Sequence, residues 1–316
     1  MKGWSETELV DLVRRLGSAA APGMRVGIGD DAAVLEVPGG QDLLVTTDLF
    51  VEGVHFRREW LPAAAAGRRA LCRALSDIAA MGGEPRFALL SLAAPSASSL
   101  RPPGSSLQPP GSWVRGFLRG FAAAARSFHV ALAGGDTGSS GSGALLADVI
   151  IVGTAPKGTA ALRSGARRGD LLLVSGQLGA LAAALDSGRR PPPIHPRLAL
   201  GKYLRSHRLI TAMMDLSDGL STDLNRLIQE SGVGAEVEIG HLPLAGTLQQ
   251  ALHGGEDYEL LFTVPEARAG RLPRSFAGTP LTRIGHITGG RGAWLVDSRG
   301  RREKLRPGGW EHRGRP

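Results

Sequence analysis

Gly27-Ile28-Gly29-Asp30-Asp31-Ala32-Ala33-Val34 and, in the second half of the chain, Met214-Asp215-Leu216-Ser217-Asp218-Gly219-Leu220 decide how this sequence reads. Both set aspartates among glycines and apolar residues, company that a solvated carboxylate seldom keeps. The pattern recurs at Asp48 in Thr46-Thr47-Asp48-Leu49-Phe50, at Asp77 in Ser76-Asp77-Ile78-Ala79-Ala80, and at Asp136 in Gly134-Gly135-Asp136-Thr137. Taken singly, each aspartate reads as a cap or turn residue, and Thr46 and Thr47 read as strand residues. Taken together they imply more. Converging carboxylates repel one another by about 4 kcal/mol per pair at close range and an intermediate dielectric, so such a site calls for cations. Oxygen ligands select hard ions such as Mg²⁺, which commonly arrives with substrate phosphates. The expected chemistry is phosphoryl transfer.

Other phosphate motifs are excluded. Gly27 to Ala32 matches G-x-G-x-x-A, but two carboxylates lie where a pyrophosphate would rest. Gly201-Lys202 is followed by Tyr203 and has Pro196 where a Walker loop needs its first glycine. The protein-kinase motifs and a G-x-S-x-G elbow are absent, so direct in-line transfer is simpler than a covalent intermediate.

The chain has 316 residues, which points to two domains. Its 42% hydrophobic and 21% charged residues give a globular balance able to bury a core. The net charge of +8 is spread along the chain and densest from Arg299 to Arg315, which suits an anionic substrate better than a nucleic acid. A single cysteine, Cys72, excludes an intrachain disulfide and reads as a buried thiol. The N-terminus lacks a signal-peptide pattern and no apolar run is long enough for a membrane span, so a cytoplasmic protein with no membrane partner is expected.

Periodicity predicts helices at Ser5–Leu16, Pro62–Met81 (stopped by Gly82-Gly83) and Trp113–Phe128. It predicts strands at Ala33–Val37, Leu43–Thr47, Phe87–Ala93, Val130–Ala133 and Leu145–Val152. Pro95–Ser112 is rich in Pro, Ser and Gly and reads as a flexible surface insertion. A composition shift near Gly153–Thr159 divides the chain into domains 1–153 and 154–316. The second half begins with a strand at Leu171–Val174 and a helix at Leu178–Asp186, then a Pro-rich connection, Arg189–Pro196. Another helix follows, then the segment Met213–Gln229 and strands near Val237 and at Leu260–Val264. The mixture lacks a βαβ rhythm and favours α+β.

The motifs GIGDDAAV (27–34), TTDLFVEGVHF (46–56), SDIAAMGG (76–83), AGGDTG (133–138), LRSGARRGD (162–170), MDLSDGLSTDL (214–224) and GGEDYELLFTV (254–264) occur in this order. Together they resemble the thiamine-monophosphate kinases of the aminoimidazole ribonucleotide synthetase-like superfamily. The resemblance implies a two-domain fold, with an N-terminal α/β dimerisation domain and a C-terminal α+β domain, in a homodimer. It implies that ATP phosphorylates thiamine phosphate to thiamine diphosphate without a phosphoenzyme, the last step of thiamine diphosphate biosynthesis. By motif position, Asp31, Thr46, Thr47, Asp48, Asp77, Asp136, Asp215 and Asp218 would hold several Mg²⁺ ions, with Asp30 a neighbour of Asp31. Gly134, Gly135, Arg163 and Ser217 would meet ATP, and His55, Glu256 and Trp310 would face thiamine phosphate. The helix position where the family often has a tyrosine for adenine offers Phe117, Leu118 and Phe121. Sister enzymes fit less well: selenophosphate synthetase needs a reactive cysteine or selenocysteine near the N-terminus, the hydrogenase-maturation relative needs a C-terminal cysteine, and an aminoimidazole ribonucleotide synthetase-like enzyme, the leading alternative, is less well matched by TTDLFVEGVHF and GGEDYELL. A non-catalytic nucleotide-binding protein would have lost carboxylates that are all present here.

Overall fold

The computed structural model describes residues 24–26, 30–95, 110–141 and 143–311. The helix expected at Ser5–Leu16, most of the insertion, Gly27 and Gly29, and the chain end beyond Glu311 lie outside the described residues.

The first sheet contains β1 (Met24–Val26), β2 (Ala33–Val37), β3 (Gln41–Val51), β4 (Glu84–Pro95), β5 (Ala131–Ser140) and β6 (Leu146–Pro156), in the order β1-β2-β3-β6-β4-β5. The pairings are antiparallel except for β4 with β5. Side chains alternate across the sheet. Leu44, Thr46 and Phe50 of β3, and Ala147, Val149 and Ile151 of β6, point inward. They meet helices α1 (Ala63–Ala80) and α2 (Pro110–Ser127) in one core with Leu71, Leu75, Phe117 and Phe121. The two helices approach closely at Gly67, where a Cβ would overlap the Phe117 carbonyl. Phe50, Phe56, Trp113 and Phe117 form a continuous aromatic stack in this core.

Three sequence expectations shift here. The helix expected from Trp113 starts at Pro110, so the insertion's last residues, Pro110–Ser112, are helical; proline is favoured in a first turn. The strand expected at Val130–Ala133 runs on through Gly134-Gly135-Asp136-Thr137 because this stretch pairs in parallel with Leu89–Leu92 of β4. And β6 continues to Pro156, three residues past the expected division at Gly153, in register with the first residues of β3.

The second half contains β7 (Leu171–Ser175), α3 (Ala180–Asp186), α4 (Leu198–Ser206), β8 (Ala212–Asp215), α5 (Leu220–Ser231), β9 (Gly234–Glu238), α6 (Leu248–His253), β10 (Leu260–Val264) and α7 (Glu266–Ala269). Four more strands follow: β11 (Ser275–Phe276), β12 (Thr279–Thr288), β13 (Gly292–Val296) and β14 (Arg302–Leu305). The sheet runs β14-β13-β9-β12-β7-β10-β8, with β11 on β12. Only β13 with β9 is parallel among the described pairs. The mixed sheet and flanking helices give the α+β class the sequence predicts.

The two halves join through α1. Ala79 and Ala80 at its end pack with Leu173, Leu200, Leu204, Met213, Leu260 and Phe262 of the second half. Each large side chain buried there stabilises the junction by roughly 1.5–3 kcal/mol, so a few offset the repulsion of a carboxylate pair placed beside them. The pair placed there is Asp77 on α1 and Asp215 at the end of β8.

Candidate active site

Asp31, Asp77 and Asp215 converge at this junction, each offering a carboxylate oxygen, with those atoms all within 4.8 Å of one another. They come from three places: the approach to β2, the buried face of α1 and the end of β8. Burial first, then the neighbouring carboxylates, pushes Asp77 and Asp215 well above the usual carboxylate range. Asp30 is pushed up to about 7 by burial and then by Asp31. The Asp215 Oδ2 atom is buried and has no hydrogen-bond partner. A set of mutually repelling carboxylates at a domain junction, one of whose buried oxygens has no partner, fits a hard divalent cation.

Neighbours complete the site. The Thr46 hydroxyl donates to Asp77 Oδ2 at 2.6 Å. Arg163 donates from Nε and Nη2 to the two oxygens of Asp31, at 3.1 and 2.7 Å, and its backbone N–H donates to Asp30. Asp48 lies close enough for its charge to raise Asp77, and it receives a two-pronged contact from Arg73, 3.0 Å on each prong. Asp218 pairs with Arg226, and its backbone N–H donates to the buried carboxylate of Asp223.

Three expected metal ligands are placed differently from the core cluster. Thr47 follows Thr46 on a strand, so its side chain points to the opposite face and donates to Asp148 at 2.5 Å. Asp136 is exposed on edge strand β5, where Oδ1 accepts from the Thr137 N–H. Asp218 sits at the start of α5, beside rather than within the group of three.

Asp136 lines a cleft of about 470 Å³ with Gly134, Gly135, Thr137, Leu90, Leu92 and Leu118. Gly135 is required: its φ is +148° and a Cβ would overlap the Leu90 carbonyl. Of the three residues at the expected tyrosine position, Phe117 and Phe121 are fully buried in the core and Leu118 reaches the cleft.

The third group lies beyond Asp48. Glu256 receives Arg69 on Oε2 at 2.6 Å and Arg73 on Oε1 at 2.5 Å. Its backbone has φ +63°, and Tyr258 has φ +50°; such conformations cost on the order of 1 kcal/mol each outside glycine. The Glu256 N–H donates to the Ser217 carbonyl at 2.6 Å, which ties this loop to the Asp215–Asp218 segment. His55 Nδ1 accepts the Val51 N–H at 2.9 Å, leaving the ring proton at Nε2, and the ring stacks on Phe50. The chain end folds back onto α5: the N–H groups of Gly308, Gly309 and Trp310 donate to Ser221, Thr222 and the Asp218 carbonyl. That places half-exposed Trp310 beside Asp218.

Comparison with known proteins now decides the family. Residues 29–155 match the AIR synthase related protein, N-terminal domain, and residues 167–297 match the C-terminal domain of the same family. The thiamine-monophosphate kinase of Rhodopirellula baltica is 34% identical over 310 residues, covering 92% of each chain. That of Escherichia coli K12 is 35% identical over 293 residues, covering 84% of this chain and 85% of its own. The chain belongs to the thiamine-monophosphate kinase family. The solved structure of AaThiL complexed with AMPPCP and TMP superposes with a TM-score of 0.79 at 31% identity, covering 98% of this chain and 97% of that one. Family membership makes the chain an enzyme of the kinase class, in the two-domain fold its motifs imply.

Several residues that shape this kinase-family site carry no role in the sequence reading: Arg69, Arg73 and Arg226 lie outside the motifs, and Asp223 lies within MDLSDGLSTDL without being singled out. A signal for two of them is present. Arg69, Arg73 and Asp77 are spaced by four, so they share one face of α1, and that face is otherwise built of small and apolar residues. Buried arginines on such a face need carboxylate partners; which ones is not readable from spacing.

Proposed function

We propose that the chain transfers the γ-phosphoryl group of ATP to the phosphate of thiamine phosphate, giving ADP and thiamine diphosphate as the last step of that cofactor's synthesis. The observation that carries this is the buried Asp31–Asp77–Asp215 group at the domain junction, with an unpartnered Asp215 oxygen. The relatives' shared name, and a relative that holds AMPPCP and TMP together, support the choice of substrates.

Asp31, Asp77 and Asp215, with Asp48, Asp218 and the Thr46 hydroxyl beside them, would hold Mg²⁺ ions, which supply charge neutralisation for two phosphates brought together, and Asp136 would reach a metal only from the Gly134–Gly135 cleft. Arg163 is positioned to exchange its fork from Asp31 to an ATP phosphate. Gly134 and Gly135 let the backbone lie against phosphate, with Leu118 as an apolar wall for the base, and Ser217 would meet the nucleotide from the segment whose carbonyl accepts the Glu256 N–H. His55, Glu256 and Trp310 frame the acceptor: a ring N–H, a carboxylate and an aromatic face suited to a cationic ring. In the transfer, an oxygen of the acceptor phosphate attacks the γ-phosphorus while the bond to the ADP oxygen breaks in line, so no enzyme nucleophile is needed.

The outer face of the first sheet supports a homodimer. Leu49 and Phe87 are 56% and 49% exposed there, and Val45, Leu89, Ile150 and Val152 are only partly covered. A sheet face left to water carries polar residues at these positions; a second copy of this chain would cover it.

The test is product analysis with ATP and Mg²⁺. Thiamine phosphate should yield thiamine diphosphate and ADP one for one, while free thiamine, lacking the phosphate nucleophile, should yield neither. Equal turnover of free thiamine, or ring-closing chemistry on an aminoimidazole precursor instead, overturns the assignment.

A further inference from the structure

Arg69, Arg73 and Asp77 stand one turn apart on a single face of α1, roughly 6 Å per step along the axis. The face therefore runs from the carboxylate cluster at Asp77 to the loop that carries Glu256. Arg73 occupies the middle and is buried, with 8% of its side chain exposed. Every edge of its fork is used: Nε and Nη2 on Asp48, Nη1 on Glu256. The rings of Phe50 and Tyr258 lie 5.6 and 5.8 Å from the guanidinium carbon and fix its plane.

The two carboxylates it joins belong to different halves of the protein. Asp48 is on β3 of the first sheet and Glu256 is on the left-handed loop before β10. Glu256 has an arginine on each oxygen, Arg73 on Oε1 and Arg69 on Oε2, and 16% of its side chain remains exposed. An ionised carboxylate has about four acceptor positions, so both oxygens keep capacity for a ligand while their direction is fixed. Arg69 also donates to the Pro192 carbonyl at 2.9 Å and anchors the Pro-rich connection over the same loop.

We propose that Arg73 is a positioning residue for the acceptor, holding Glu256 in register with Asp48 so that the acceptor's cationic ring and its phosphate are presented together. The inference rests on thiamine phosphate being the acceptor. It assigns to the arginine fork a specificity role that its charge alone does not supply. Lysine keeps the charge but is a point donor that cannot span Asp48 and Glu256 in one plane.

The test uses the full-length wild type, Arg73→Lys, Glu256→Gln and the double variant, with thiamine phosphate and ATP as substrates. Arg73→Lys should raise the KM for thiamine phosphate about ten-fold and leave the KM for ATP within about two-fold. Calorimetric binding of thiamine phosphate without ATP should weaken by the same factor. In the double variant the KM should stay within about two-fold of Glu256→Gln alone, because Arg73 acts through that residue. Equal rises in both KM values, unchanged acceptor binding, or fully multiplicative effects in the double variant overturn the inference. Circular dichroism and Tm accompany each variant. Loss of fold in Arg73→Lys, and also in Arg73→Gln as the second choice, assigns Arg73 to the scaffold and likewise overturns it. Absence of turnover in the wild type fails the acceptor reading itself and takes this inference with it.

Discussion

Thr46 and Asp77 are joined by a 2.6 Å hydrogen bond from hydroxyl to carboxylate, which links the central strand of the first sheet to the helix that reaches the second domain. The next residue, Thr47, makes a bond of similar length to Asp148 on the other face. Adjacent residues of one motif thus serve different surfaces. Thr46→Val should raise the Mg²⁺ concentration for half-maximal rate several-fold, since Asp77 loses its orienting donor. Thr47→Val should instead leave that response unchanged and alter the dissociation constant of the proposed dimer. Mg²⁺ titrations of initial rate and sedimentation velocity check the two, and a metal response to Thr47→Val equal to that of Thr46→Val would contradict the division of faces.

The carboxylate cluster predicts a specific pH dependence. Asp30 rises from 3.8 to about 7, and Asp77 and Asp215 lie well above the usual range, with burial the leading cause. The metal-free folded state therefore keeps protons that the unfolded chain releases. The stability contributed by Asp30 is fully present below about pH 4 and is lost as pH rises through about 7, and that contributed by Asp77 and Asp215 is lost as pH rises through their own raised values. Mg²⁺ must displace those protons, so its binding should tighten from pH 6 to pH 8 with measurable proton release. Calorimetry in buffers of different ionisation enthalpy measures the release; none at pH 6 would rule this out.

Asp215→Asn separates stability from activity. The substitution removes a buried group whose ionisation is opposed by burial and by its carboxylate neighbours, so the metal-free Tm at alkaline pH should rise. Turnover should fall by several orders of magnitude because a cluster oxygen is lost. Thermal scans and ADP assays on the same preparation decide it, and a lower Tm with activity retained would reverse the expectation.

Asp257 offers a control outside the cluster. Burial pushes it up to about 7, although it accepts the N–H groups of Gly179 and Ala180. Its contribution to stability is likewise lost as pH rises from about 4 through about 7, on the order of 4 kcal/mol at the upper end. Asp257→Asn keeps an acceptor and cannot ionise. The fall in Tm across this pH window should flatten, and an unchanged slope would show that Asp257 is already ionised.

Trp310 tests the closing end of the chain. Its backbone N–H bonds to the Asp218 carbonyl at 3.0 Å and its side chain is half exposed. Trp310→Ala should raise the KM for thiamine phosphate by about ten-fold, as expected for a lost cation–aromatic contact of one to two kcal/mol, while the KM for ATP changes little. Equal shifts in both would place the residue in the scaffold instead.

The sequence by itself determined the class of chemistry and most of the elements. Aspartates among glycines and apolar residues are anomalous at any exposed position, and their motif order carries the family. Strand alternation and helix periodicity are local, so Ala33–Val37, the α1 helix and Leu260–Val264 were legible. The C-terminal strands from Thr279 onward were not, because β12 is half-exposed and its pairing is long-range. Only the tertiary structure decided which carboxylates meet. Asp31, Asp77 and Asp215 come together because α1 spans both domains, whereas Asp136 is held on an edge strand. The pairing of Arg73 with Asp48 and Glu256 depends on a helix, a strand and a loop far apart in the chain. Spacing along one helix shows that Arg69, Arg73 and Asp77 share a face, but what that face meets is set by packing between the domains.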